Sequence, residues 1–127
     1  MAWRATSAEG RLPHPWVTAL AAAKGSIYVG TYGGGVVRRT REGGYVPLVE
    51  TEGYKVSAGA LVEDRGTLWL GTEEHGLFRL AADGSRFEPL RTWLPSPRVT
   101  AILPLGDALL VGTDEGLVRV AVGRHGQ

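Results

Sequence analysis

Two short acidic runs, Glu73-Glu74-His75 and Asp114-Glu115, carry the side chains of this sequence best suited to chemistry. With His14 they supply four carboxylates and two histidines, the donors that coordinate a divalent metal, bind a cation or relay protons. Carboxylates on turns are more often simply hydrated, so the runs are candidates for a metal or acid-base site and not a signature of one. Tyr32, Trp16 and Trp93 offer rings for stacking on a sugar or an aromatic ligand, although such rings also pack cores and interfaces. Arg98 stands in a Ser-Pro-Arg turn that would bring a cation to the same neighbourhood. Arg38, Arg79 and Arg119 recur in register, as a repeated ion pair or backbone contact would require, or as a ring of anion sites would. His14 lies between Pro13 and Pro15 in a rigid turn from which an imidazole can act as ligand or base. His125 falls in the C-terminal tail, where chain ends fray.

Other chemistries find no support. No Ser-His-acid spacing is legible, and the Gly-Thr pairs lack the Lys-Ser/Thr that completes a phosphate loop. The absence of cysteine removes disulfides, thiolate metal sites and cysteine nucleophiles together. Fourteen Lys and Arg against 13 Asp and Glu leave a net charge of +1, so no bulk field draws the chain to nucleic acid or to an acidic membrane surface. At 127 residues, 43% hydrophobic and 21% charged, the sequence is that of one ordinary globular domain without a membrane-spanning run. Trp16 to Ala23 follows Glu9, Pro13 and Pro15 and makes a poor signal peptide, so a cytoplasmic location is expected.

The elements that must position these residues follow from a repeat. Gly30-Thr31, Gly71-Thr72 and Gly112-Thr113 are each 41 residues apart. The same offset superposes Val17-Thr18-Ala19-Leu20 on Ala58-Gly59-Ala60-Leu61 and on Val99-Thr100-Ala101-Ile102. After each Gly-Thr comes a short loop and then Gly35-Val36-Val37-Arg38, Gly76-Leu77-Phe78-Arg79 or, one residue early, Gly116-Leu117-Val118-Arg119. Nineteen glycines and seven prolines imply many tight turns between short strands. In the second copy four strands are legible: Ala58 to Glu63, Thr67 to Thr72, Gly76 to Leu80 and Arg86 to Leu90. Asp64-Arg65-Gly66 and Asp83-Gly84 supply hairpin turns, and Pro89 marks the last strand as an edge. Three consecutive apolar residues, Leu68-Trp69-Leu70, suit a strand covered on both faces, and the Gly-Thr glycines suit close approach of neighbouring backbone. Four antiparallel strands in about 40 to 45 residues are the unit of a β-propeller blade.

Val62-Glu63-Asp64-Arg65-Gly66-Thr67-Leu68-Trp69-Leu70-Gly71-Thr72, followed by Gly76-Leu77-Phe78-Arg79-Leu80, resembles the two-component regulator propeller repeat. The first and third copies keep the Gly-Thr and the later glycine but carry Tyr28 and Leu110 where the repeat has Trp. The first copy is also similar, at Ile27 to Gly35, to the Asp-box propellers of sialidase-like proteins, without their terminal Trp, and no sialidase chemistry is carried over. The resemblance implies an all-β propeller of the kind found, often as a ligand sensor, in bacterial signalling proteins.

By the usual propeller layout, the loops after the second strand and those entering the first share one face around the channel mouth, where ligands bind. That face would hold Tyr32, Glu73, Glu74, His75, Asp114 and Glu115, with His14, Trp16 and Arg98 on the entering loops. Three blades leave two apolar faces open, since closed propellers have roughly four to eight. A homodimer of two arcs would close a six-bladed ring, with blades at about 13–53, 54–94 and 95–120. The third copy has no fourth strand, and residues 2–6, ahead of the first copy, are expected to complete it across the subunit boundary. The function expected is a non-enzymatic binding or scaffold module for a small molecule, glycan or peptide, with no cofactor and with neither nucleic acid nor membrane as partner. The alternatives are a metal-dependent hydrolase or lyase built on His75, Glu73, Glu74 and Asp114, and a piece of a larger sensor propeller.

Overall fold

The structure, a computed structural model, describes residues 3–123. It is all-β. Strands β1 (Val17–Ala23), β2 (Ser26–Thr31), β3 (Val36–Arg39) and β4 (Tyr45–Pro47) form one antiparallel sheet. Strands β5 (Leu61–Asp64), β6 (Thr67–Gly71), β7 (Leu77–Leu80) and β8 (Phe87–Pro89) form a second, and β9 (Val99–Leu105), β10 (Ala108–Thr113) and β11 (Gly116–Ala121) a third. Each sheet is a meander in chain order, as short tight turns dictate. Lys24-Gly25 and Arg65-Gly66 both take positive φ (55° and 78°, 50° and 86°), the conformation of the two-residue hairpin turn whose twist matches its strands. The copies share one register: Val29 faces Val37, Leu70 faces Phe78 and Val111 faces Val118.

Because side chains alternate across a strand, each central strand serves two interfaces. Tyr28, Val36 and Ala19 pack against Leu61, Leu68, Leu70 and Phe78 between the first and second sheets. Trp69 and Leu77 pack against Ile102, Leu109 and Val111 between the second and third. The outer face of the first sheet, Val29 and Val37, is covered in part by Leu12 and Ala5.

Among the described residues the third sheet has three strands, as expected of a third copy without a fourth strand of its own. Trp3 to Thr6 forms no strand within the single chain; it runs into a 3-10 turn, Ser7–Glu9, and lies on the outer face of the first sheet. Ala2 and His125 lie outside the described residues.

Tyr28 is fully buried, and its hydroxyl donates to the Gly84 carbonyl at 2.7 Å, tying the first sheet to the β7–β8 hairpin. Burial pushes its phenol above the usual 10.0, with the Arg38 guanidinium opposing. The folded state therefore resists ionisation: this contribution to stability is intact below pH 10 and is lost as pH rises through the higher folded value. Tyr28→Phe should cost about 1 to 2 kcal/mol by orphaning the Gly84 carbonyl. Thermal melts should show a midpoint lower by several degrees at neutral pH and a weaker alkaline decline than in the wild type.

Candidate functional site

The threonine of each Gly-Thr pair builds the loop that carries the candidate residues. Thr31 Oγ1 donates to the Gly35 carbonyl at 2.8 Å and accepts from the Gly34 amide at 3.1 Å. Thr72 does the same with Gly76 and the His75 amide, at 3.0 and 2.9 Å, and Thr113 with Gly116 and the Glu115 amide, at 2.9 and 3.0 Å. A hydroxyl that both donates and accepts closes the loop on itself and fixes the residue after the threonine at the end of its sheet. These residues are Tyr32, Glu73 and Asp114, again 41 apart.

The residues that enter β1, the second copy and β9 are Trp16, Ser57 and Arg98, spaced by the same step. Together the two sets form one row along the ends of the sheets. The Trp16 and Tyr32 rings meet at a tilt of 51° with centroids 4.9 Å apart, and Lys55 Nζ lies 5.7 Å from the Tyr32 ring. Ser57 Oγ donates to Glu73 Oε2 at 2.9 Å. Arg98 bridges two sheets, with Nη1 3.5 Å from Glu73 Oε1 and Nε 3.7 Å from Asp114 Oδ2. The row thus runs from an aromatic end to an ionic end. An open cleft of roughly 530 Å³ between them is lined by Trp16, Val17, Thr18, Tyr32, Ser57 and Glu73.

Of the residues expected here from the sequence, Trp16, Tyr32, Glu73, Arg98 and Asp114 come together. His14 packs on the Tyr32 loop, above Gly33 and Gly34, and its Nδ1 accepts from the Trp16 amide at 3.1 Å, so it positions Trp16. His75 turns away and stacks on Tyr54 at 4.1 Å. Glu74 and Glu115 stand exposed on their loops. Trp93 is 73% exposed on the β8–β9 connection and joins no ring pair among the described residues, whereas Trp69 is core. Arg38 sits toward the opposite end of the first sheet, beside Lys24 and Arg41. Ser57 went unnoticed in the sequence; its signal is the 41-residue step that relates it to Trp16 and Arg98.

The cluster of His75, Glu73, Glu74 and Asp114 expected of a metal-dependent enzyme is not assembled. Among the described residues no three His, Asp or Glu side chains gather in a way that would hold a metal ion. Arg98 lies between Glu73 and Asp114 and offsets part of their charge, while His75 is held on Tyr54 and Glu74 stands exposed.

Two four-stranded meanders and one of three strands, stacked with a row of equivalent loops at one end, define an arc of a β-propeller with a candidate binding rim. No family model matches the chain, and no curated protein matches it. Among solved structures it is similar to PorZ, an essential bacterial surface component of the type-IX secretion system of Porphyromonas gingivalis: TM-score 0.67, 18% identity, covering 84% of this chain and 17% of that one. It is also similar to the extracellular domains of two hybrid two-component systems of B. thetaiotaomicron. For BT3049 the TM-score is 0.67, with 19% identity over 90% of this chain and 16% of that one. For BT4673 it is 0.62, with 19% identity over 82% and 15%. The chain spans about a sixth of the length of these structures. The resemblance to the two-component regulator propeller repeat holds at the level of the fold. The cytoplasmic location expected from the sequence is corrected by the same likenesses, which are to a surface component and to extracellular domains.

Proposed function

We propose that the protein is a non-enzymatic ligand-binding module that works outside the cytoplasm and holds a small molecule, glycan or peptide on the row from Trp16 to Asp114. The observation that carries this reading is the row itself: equivalent positions of successive sheets present a tilted ring pair, exposed Trp16 with half-buried Tyr32, beside the Ser57-Glu73-Arg98-Asp114 chain of polar groups. Rings supply apolar contact at small entropic cost, and fixed polar groups supply orientation. Each of the two carboxylates is already paired, which suits holding a ligand better than moving protons.

The arc would close as a six-bladed ring of two chains. Leu117 occupies the place of Val36 and Leu77, yet it is 69% exposed where they are 1% and 2%. Leu20 occupies the place of Leu61 and Ile102, yet it is 66% exposed where they are 6% and 7%. The two open faces are thus the two halves of an interface that the chain already makes twice. The one-sixth span of the PorZ, BT3049 and BT4673 structures favours a second reading, in which further blades of a longer chain close the arc.

The test is isothermal titration calorimetry of the purified chain with a panel of soluble oligosaccharides and short peptides. At least one probe should give a saturable binding isotherm. Trp16→Ala and Arg98→Ala should each weaken that binding by about tenfold or more. Far-UV circular dichroism should be unchanged, because Trp16 is 60% exposed. A panel without any response, or one that both variants bind as the wild type does, overturns the reading.

A further inference from the structure

We propose that Arg4 to Thr6 of one copy forms the missing outer strand of the third sheet of a second copy, antiparallel to β11, and that this exchange completes the binding row across the boundary between the chains. The inference rests on the two-chain ring proposed above.

The N-terminal segment stands to the first sheet as the end of the first repeat stands to the second. Strand β4 leads through Leu48 into the 3-10 turn Val49–Thr51, and Arg4 to Thr6 leads into the 3-10 turn Ser7–Glu9. From the turn after β4, Glu50 Oε2 accepts the Phe87 amide at 2.6 Å, on β8, the outer strand of the second sheet. From the N-terminal segment, Trp3 covers the Arg39 guanidinium at 4.0 Å and Arg11 lies 5.8 Å from the Tyr45 ring, on the two outer strands of the first sheet. Ala5 and Leu12 pack on Val29 and Val37, the equivalents of Leu70 and Phe78, which the first sheet covers. The segment therefore lies where the fourth strand of a preceding blade would lie, and among the described residues no blade stands behind it.

The complementary vacancy is in the same chain. Strands β3 and β7 pair outward with β4 and β8, whereas among the described residues no strand pairs with the outer edge of β11. Open edges of this kind recruit a further strand. The segment is pre-organised to serve: Thr6 and Glu9 form a capping box, and the Arg4 carbonyl accepts from Arg11 Nη1 at 3.0 Å. Less ordering entropy is then lost on pairing. Between the segment and β1 lies an apolar groove of roughly 390 Å³ lined by Trp3, Ala5, Leu12, Leu20, Ile27 and Val29. The open face of the third sheet, with Leu103 55% and Leu117 69% exposed, has the chemistry to fill that groove.

The consequence for binding is geometric. Arg98, entering the third sheet, meets Glu73 at the end of the second. By the same step, Trp16 of the second copy meets Asp114 of the first, whose side chain is 43% exposed. The ionic end of one row then adjoins the aromatic end of the next, and the ligand site spans both chains.

The chain has no cysteine, so engineered thiols report contacts cleanly. A Val118→Cys chain is mixed in turn with Arg4→Cys, Ala5→Cys and Thr6→Cys chains, refolded together and oxidised. An antiparallel partner lies about 4.5 to 5.5 Å away between Cα atoms, within disulfide reach. One of the three mixtures should give a disulfide-linked heterodimer of twice 13.6 kDa, with its neighbours weaker because side chains alternate. If light scattering shows a dimer but no mixture cross-links, strand exchange is wrong while the two-chain ring stands. If the wild type is a monomer at the same concentration, the ring reading itself fails. A cross-linked monomer from the double variant Thr6→Cys with Val118→Cys would place the segment on its own third sheet and overturn the exchange.

Discussion

Gly71→Val should be among the most damaging single substitutions in this protein, costing about 3 kcal/mol or more and lowering the thermal midpoint by about 10 °C. A Cβ at Gly71 would overlap the Val99 side chain and come within 3.2 Å of the Ala60 Cβ. Val99 is fully buried between the second and third sheets and has nowhere to retreat. The repeated Gly-Thr glycine thus marks the point where the next blade presses on the sheet. Gly30 shows the same crowding, with Val56 at 2.9 Å. Gly112, the third of the series, meets only ordinary contacts at 3.5 Å and beyond. Gly112→Val should therefore leave the melting of the isolated chain almost unchanged. In a closed ring the second copy would press on that position as Val56 and Val99 press on theirs, and Gly112→Val should weaken the dimer. Melting curves of the two variants, followed by circular dichroism at low concentration, check the first contrast. Equal losses at Gly71 and Gly112 would show that crowding by the next blade is not what selects glycine.

Leu117→Asp should abolish assembly while sparing the fold. In the single chain the carboxylate would replace a side chain that is 69% exposed and would stay hydrated. In the ring it would be buried against the outer face of a first sheet, at the position where Val36 and Leu77 are almost wholly enclosed. Desolvating an unpaired carboxylate costs several kcal/mol, which weakens association by about a hundredfold or more. Light scattering should read about twice 13.6 kDa for the wild type and 13.6 kDa for the variant, with matching far-UV spectra. A variant that remains dimeric would move the interface away from the open face of the third sheet.

Local pattern was enough to determine the repeat, its strands and its turns. A 41-residue step, turn glycines at Gly66 and Gly84, and apolar triplets such as Leu68-Trp69-Leu70 are properties of neighbouring residues. Backbone sterics and alternation convert them directly into hairpins and two-faced strands. The same step placed Tyr32, Glu73 and Asp114 on equivalent loops, because each follows a threonine whose hydroxyl closes its own loop. What only the tertiary structure decided was which of these residues meet. Arg98 reaches Glu73 on the preceding sheet as well as Asp114 on its own, while His75 is drawn off to Tyr54. These pairings depend on how far one sheet is rotated and shifted on the next, which no spacing along the chain records. Local pattern marks residues 2–6 as a strand for the third sheet, whereas the seat of Trp3 to Thr6 on the first sheet follows from Arg39, Tyr45, Val29 and Val37, residues brought together only when β2, β3 and β4 have paired.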